Sequence, residues 1–302
     1  MNLFTSKQKL YAEMGVADVI KDTGLYKDAW RRLKKSPPAL IALGFIVFIV
    51  LLALFGPYIV PHDPNYTDIS NMLRPPSSTH WFGTDQLGRD IFSRVIVGTR
   101  ISLFIGVVAE LIALTLGVII GSIAGFFGGW VDKVISRLIE ILSSFPLLLF
   151  ALAIMMILGP GIMNIFIAIG LLGWTNVARL IRGQVMRLKT SEYVLAGRAA
   201  GQGEMKIIFK HVIPNCMSTI IVILTMDIPS MIMTETFFSF IGMGVRPPHA
   251  SWGKMLAESR MHMRAAPTYS IFSGLLLMLT VLAFNTFGDA LRDALDPRLK
   301  NK

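Results

Sequence analysis

From residue 39 to residue 60 the chain reads ALIALGFIVFIVLLALFGPYIV, without a single charged side chain. As a helix, those 22 residues rise about 1.5 Å each, enough to cross a hydrocarbon core of about 30 Å. A segment like this in water would be insoluble. In a bilayer its backbone must satisfy itself, which selects a helix. Five more apolar stretches follow, at 101–125, 139–158, 162–178, 217–240 and 269–287, so the expected fold is all-α and polytopic with six transmembrane helices. Hydrophobic residues at 53%, charged residues at 16% and a mean hydropathy of +0.60 fit only that class.

The positive charge is placed accordingly. Of the 29 Lys and Arg residues, 21 fall in segments that an inward amino terminus would leave on the cytoplasmic side and 8 on the other. That is the bias of the positive-inside rule, and it argues against a nucleic-acid partner despite the formal charge of +10. The expected division is a cytoplasmic tail at 1–38, a first span and extracytoplasmic loop at 39–100, a core at 101–290 and a cytoplasmic tail at 291–302. No small-residue cleavage site follows the first apolar run, so that run is expected to be retained. Cys216 is the only cysteine, which leaves no intrachain disulfide.

One stretch breaks the apolar pattern. SEYVLAGRAAGQGEMKIIFKHVIPN, residues 191–215, predicts a short helix over 192–200, a break at Gly201 to Gly203, and a second helix from Glu204 that Pro214 closes. Met205, Ile208, Phe209 and Val212 fall at i, i+3, i+4 and i+7 of that second helix. Helices this short are marginal alone. The stretch reads either as a contact for another protein or as an amphipathic loop lying on the membrane surface.

Elsewhere, Gly117, Gly121 and Gly125 form a small-residue stripe that invites close helix packing, and Pro146 predicts a kink in the third span. Thr84 or Asp85 is expected to cap a helix, with Arg89 paired to Asp85. Glu110, Glu140, Asp227 and Glu235 lie in or near spans, where an ionised group faces a bundle interior or a water-filled path. Asp227 and Glu235 share the fifth span with Pro229 and read either as path lining or as interhelical hydrogen-bonding groups. No Gly-x-x-x-x-Gly-Lys-Ser/Thr phosphate loop occurs. The five histidines are scattered in sequence, without i, i+4 pairs or cysteine companions, so neither a metal site nor an enzyme is expected.

The island resembles the coupling loop of ABC importer permeases through Ala196, Gly201 and Pro214, with Leu195 standing where that pattern has Glu. Three further blocks, HWFGTDQLGRDIFSRVIVGTRISL, FFSFIGMGVRPPHASWGKML and AFNTFGDALRDALDPRLK, resemble the C-type permeases of the dipeptide, oligopeptide and nickel importers. The resemblance implies a bacterial inner-membrane subunit with both termini cytoplasmic. It also implies a homologous permease subunit as heterodimer partner, two cytoplasmic ATP-binding subunits and an extracytoplasmic solute-binding protein. ATP and Mg would be used by the partner subunits, and no cofactor is expected on this chain. Ala196, Arg198, Gly201, Glu204, Met205, Ile208, Phe209 and Pro214 are then the expected ATPase-coupling residues, and Asp227 and Glu235 the expected path residues. Short peptides are the expected cargo, with nickel complexes or other small solutes as the alternative. A secondary carrier would not need the island and would favour inverted repeats, which are not evident. A channel or membrane enzyme would want a filter ring or a catalytic cluster, and neither is visible.

Overall fold

The computed structural model describes residues 25–296, so most of the expected amino-terminal tail and the end of the carboxyl-terminal one lie outside the described residues. Among the described residues the regular structure is helical, with no strand beyond one isolated bridge between Thr84 and Asp90. Helix α1 (Leu25–Leu33) precedes α2 (Pro37–Ile59), the first span. After a loop, α3 runs over Ile91–Phe127, followed by α4 (Gly129–Ser143) and α5 (Leu147–Leu158). Helix α6 spans Ile162–Leu188. The island supplies α7 (Glu192–Ala199) and α8, which opens as Glu204–Ile207 and continues to residue 215. Then come α9 (Met217–Phe240), α10 (Trp252–Ser259) and α11 (Pro267–Leu295).

Five of these helices, α2, α3, α6, α9 and α11, are each long and apolar enough to cross a membrane, and α4 with α5 makes a sixth span only as a broken pair bent by 83°. The third span is therefore not the continuous run expected over 139–158. Proline at 146 has no N–H and clashes with the preceding turn, so the helix stops at Ser143 and restarts at Leu147. Expected boundaries also moved outward. Helix α3 starts at Ile91 instead of 101, and the cap is Asp90, whose carboxylate accepts from the Ser93 N–H at 2.8 Å. Asp85 instead closes a turn, accepting from the Leu87 and Arg89 N–H groups at 2.8 and 3.0 Å.

Helix α3 is the centre of the bundle. Its glycine stripe meets α6 so closely that a Cβ at Gly121 would sit 2.5 Å from the Ala178 carbonyl, and one at Gly125 2.7 Å from that of Arg182. Backbone approach of this kind is what a small-residue stripe permits. On its other faces α3 packs against α9 and α2, and Leu103, Ile228, Ile232, Leu277 and Phe284 share one buried cluster with Ile49 of α2. Helix α1 lies against the end of α11, where Ala29 and Leu33 are buried with Ala294 and Leu295.

The two ends of the bundle differ. At one end the loop after α2, the start of α3, α10 and the start of α11 form a folded cap. Its centre is a buried network in which Arg89 Nε donates to Asp85 Oδ2 at 2.6 Å and Arg89 Nη2 to Glu258 Oε2 at 3.2 Å. Arg94 adds an ion pair with Asp85 at 3.4 Å and donates to the Pro64 carbonyl at 2.9 Å. Tyr269 donates to Glu258 at 2.7 Å. Burial pushes the Glu258 carboxyl up, but the Tyr269 hydroxyl and the charges of Arg94, Arg89 and Lys254 together outweigh it and hold it below its ordinary value. The other end carries the island.

Candidate functional site

The island is built onto the spans rather than laid beside them. Helix α7 presents Val194 and Gly197 inward, and α8 presents Ile207, Ile208 and Val212. These side chains join Val118 and Phe126 of α3, Val177, Ile181 and Val185 of α6 and Ile220 of α9 in one apolar cluster. Full burial of each such aliphatic side chain stabilises by about 1.5–3 kcal/mol, which answers how two helices too short to stand alone are held. The turn between them needs Gly201, whose φ of 73° lies in the left-handed region and whose missing Cβ faces open space. Gln202 closes the turn by donating its N–H to the Gly197 carbonyl at 3.0 Å, and its side-chain oxygen lies 3.0 Å from His211 Nε2.

Two expectations about α8 need correction. Ile208 was expected on the exposed contact face with Met205 and Phe209, but it is only 1% exposed, and its role is internal packing. The helix does not keep an α period there: residues Ile208–Val212 form a π turn, which rotates the buried set to 207, 208 and 212. Pro214 does not close the helix either. The chain passes through Ile213–Asn215 and breaks at Cys216, one residue before α9 begins. A π turn lets a helix absorb the hydrogen bond that a proline cannot donate, so Pro214 and the π turn are one feature.

What remains outward is informative. Met205 is 46% and Phe209 51% exposed, and Leu195 on α7 is 53% exposed. Ala196, Gly201 and Pro214 are exposed as well, and Glu204 is half-buried. Arg198 donates from Nε to Glu204 at 3.2 Å, and its guanidinium lies 5.2 Å from the Phe126 ring centre. It links both island helices to the end of α3. A second tie nearby joins Arg182 of α6 to Asp132 of α4 through two hydrogen bonds.

The membrane carboxylates separate into different roles. Glu235 is fully buried, and its Oε1 accepts from Ser239 at 2.6 Å and from Ser251 at 2.8 Å. Ser251 caps α10, so Glu235 ties the far end of α9 to the cap, and the expectation that it lines a path is corrected. Burial beside two hydroxyls is the hydrogen-bonding alternative realised. Asp227 is half-buried, and one face of α9 continues from it through exposed Ser230 and Met233 and half-buried Thr234 to exposed Phe237. Glu110 of α3 is fully buried, and neither oxygen has a hydrogen-bond partner among the described residues. Glu140 lies outside this group, exposed on α4 and paired with Arg137 at 2.8 Å.

Residues 117–301, which include α6, the island and the last two spans, match the family described as binding-protein-dependent transport system inner membrane component. Residues 24–76 match the N-terminal TM domain of oligopeptide transport permease C. The chain belongs to this permease family. It is 44% identical over 96% of its length to the oligopeptide transport system permease protein OppC of Bacillus subtilis, 95% of which is covered. It is 42% identical to the dipeptide transport system permease protein DppC of the same organism, over 94% of this chain and 90% of the relative. The glutathione transport system permease protein GsiD of Pectobacterium atrosepticum is 40% identical over 96% of this chain and 98% of its own length.

A permease of this family with five long apolar helices and one broken pair is a multi-pass inner-membrane component of a transporter. Against that identity the least legible residue in the sequence was Leu195. It stands where the pattern of the resemblance has Glu, and the structure leaves it exposed on α7, turned away from buried Val194 and Gly197. The i, i+3 spacing of Val194 and Gly197 was the available signal.

Proposed function

We propose that the chain is one of two permease subunits of an ATP-driven importer of short peptides, and that residues 191–215 are where a cytoplasmic ATP-binding subunit docks. The carrying observation is that Leu195, Met205 and Phe209 stay exposed on helices whose other faces are locked into the core of the spans. Large apolar side chains held outward on a rigid base have the character of interface anchors. A displacement of the docked subunit would pass through α7 and α8 into α3, α6 and α9, opening the path alternately to the two sides.

On this reading the island end is cytoplasmic, as are both tails, in keeping with the distribution of Lys and Arg, and the cap faces outward toward a solute-binding protein. The homologous second permease completes the path, to which the Asp227 face of α9 contributes: polar side chains exposed at mid-span are costly against lipid and acceptable against water or a partner. ATP and Mg act on the partner subunits, and this chain holds no hydrolytic site of its own. The peptide cargo rests on the names of relatives that carry oligopeptides, dipeptides and glutathione. Uptake measured across peptides and nickel complexes separates that cargo from the alternative.

The docking assignment is tested with a Met205→Glu, Phe209→Glu double variant. Anchor residues cost about 2 kcal/mol or more when lost, so recovery of the ATP-binding subunits with the chain is expected to fall at least about tenfold. Membrane insertion should be unchanged, because both side chains are exposed. Full recovery of those subunits and normal uptake would place the docking surface elsewhere.

A further inference from the structure

Seventeen residues of chain separate two histidines in the loop between α2 and α3, a spacing without metal-site character. The folded cap removes that separation. The rings of His62 and His80 lie with centroids 4.7 Å apart and planes inclined by 35°. Asp90 meets them, its Oδ1 2.9 Å from His80 Nδ1. One nitrogen from each histidine and one Asp90 oxygen all lie within 4.8 Å of one another.

The surrounding hydrogen bonds prepare these groups. His62 Nε2 is 2.8 Å from the Thr79 carbonyl. A carbonyl can only accept, so that nitrogen carries the proton and Nδ1 keeps its lone pair. At His80 the nitrogen near Asp90 is Nδ1, which shares a proton with Oδ1 across 2.9 Å; an ion entering between them would take that proton's place, and Nε2 can carry the ring proton instead. A backbone carbonyl on the second ring nitrogen, as at His62, is a usual way a metal-binding imidazole is oriented. Asp90 divides its labour: Oδ2 is committed to the cap of α3, accepting from the Ser93 N–H at 2.8 Å and from its hydroxyl at 2.7 Å, while Oδ1 is turned to the histidines. The carboxylate side chain is almost wholly buried and the histidines are partly exposed, which gives a fixed wall and an open entrance.

We propose that His62, His80 and Asp90 form a site for a divalent transition-metal ion, of the class of Zn²⁺, on the cap. Two imidazoles and one carboxylate suit zinc and its neighbours and not the hard ions Mg²⁺ or Ca²⁺, which want oxygen donors. Bonds of about 2.0–2.2 Å bring tetrahedral ligand atoms to about 3.3–3.6 Å from one another. The present spread closes to that by side-chain rotation, chiefly of His62 at the loop surface. The ion would fasten the residues just after the first span to the first turn of α3, and water would fill its remaining position. It is a resident of the cap and not cargo, since the site lies beside the Asp90 cap and not on the α9 face proposed for the path.

The test uses the full-length chain without a histidine tag, in lipid nanodiscs and titrated with zinc chloride alone. About one equivalent should bind, and the thermal midpoint should rise with zinc and not with magnesium. His62→Ala and His80→Gln should each weaken binding at least about tenfold, the lower end of the loss caused by removing even an orienting partner. Both variants leave Asp90 itself and the Oδ2 contacts that cap α3 in place. A His249→Ala, His262→Ala variant, which alters an exposed and a partly exposed histidine elsewhere, should bind as the parent does. Absence of zinc binding to the parent chain, or binding that survives His62→Ala and His80→Gln, would overturn the site.

Discussion

Arginine meets carboxylate at both ends of α3, and the two meetings are unlike. At the cap, the side chains of Arg89 and Arg94 are 5% and 1% exposed and that of Asp85 is wholly buried. At the island, Arg198 and Glu204 are 40% and 44% exposed and their shortest contact is 3.2 Å. A buried network left half-paired exposes its members to a large desolvation cost, so it holds one geometry. An exposed pair contributes about 0–1 kcal/mol and can exchange partners cheaply. The cap is therefore fastened by its charges, whereas the island is held by apolar packing beneath and its charges pair at the surface. For a permease this is a division between a frame and a point of application.

The largest expected effect comes from cutting the frame. Asp85→Ala leaves Arg89 and Arg94 with Glu258 as their remaining shared carboxylate, and breaking a buried pair from one side costs about 3–5 kcal/mol. Loss of folded chain from membranes, measured by detergent-extracted yield and thermal midpoint, is the expected result, and a near-parental midpoint would make the two ends alike after all. Next is the apolar base of the island. Ile208→Ala should cost about 2–5 kcal/mol, whereas Phe209→Ala, its neighbour in sequence, should change stability by no more than about 0.5 kcal/mol, as expected for a surface site. Equal losses at the two positions would mean that the π turn does not set the buried face.

Acid distinguishes the ends more gently. Glu258 is held below its ordinary value of 4.5, so the stability it contributes is complete above that pH and fades as pH falls through the lowered value. Proteolysis in an acid series should therefore open the cap below about pH 4.5. The Glu258→Gln variant, which lacks that carboxyl, should be less stable than the parent at neutral pH and should lose this part of the acid response. Smallest of all is Arg198→Ala, expected to cost less than about 1 kcal/mol in the isolated chain. A larger thermal shift would show that the cation over Phe126 fastens the island as firmly as Asp85 fastens the cap.

Much of this architecture could be read from residues alone, for a physical reason. Apolar runs in a bilayer have one way to satisfy their backbone, so the first span and α9 were found almost to the residue. The glycine stripe announced a close helix contact, which α6 supplies, because close approach requires the absence of side chains in register. Polar detail was harder. The capping role moved from Asp85 to Asp90 because several acids in that loop can close a turn, and only the folded loop decides which one meets a free N–H. Ile208 was misplaced because periodicity groups residues on one side of a helix without saying where that side divides between core and surface, and the division runs between Ile208 and Phe209. Glu235 could not be assigned from its span, since the serine that satisfies it from α10 is 16 residues away.

The 37 residues of α3 make a helix about 55 Å long, far more than a bilayer core needs. One end is gripped by the cap and the other lies against Arg198. As a rigid beam pivoted at the cap it would trade small angles for large displacements. A tilt of about 10° would carry the island end about 10 Å, nearly two helical turns of 5.4 Å, with the cap end scarcely moving. A small rotation at one end would thus reach the other as a displacement the size of a peptide side chain, with no need for the beam itself to bend.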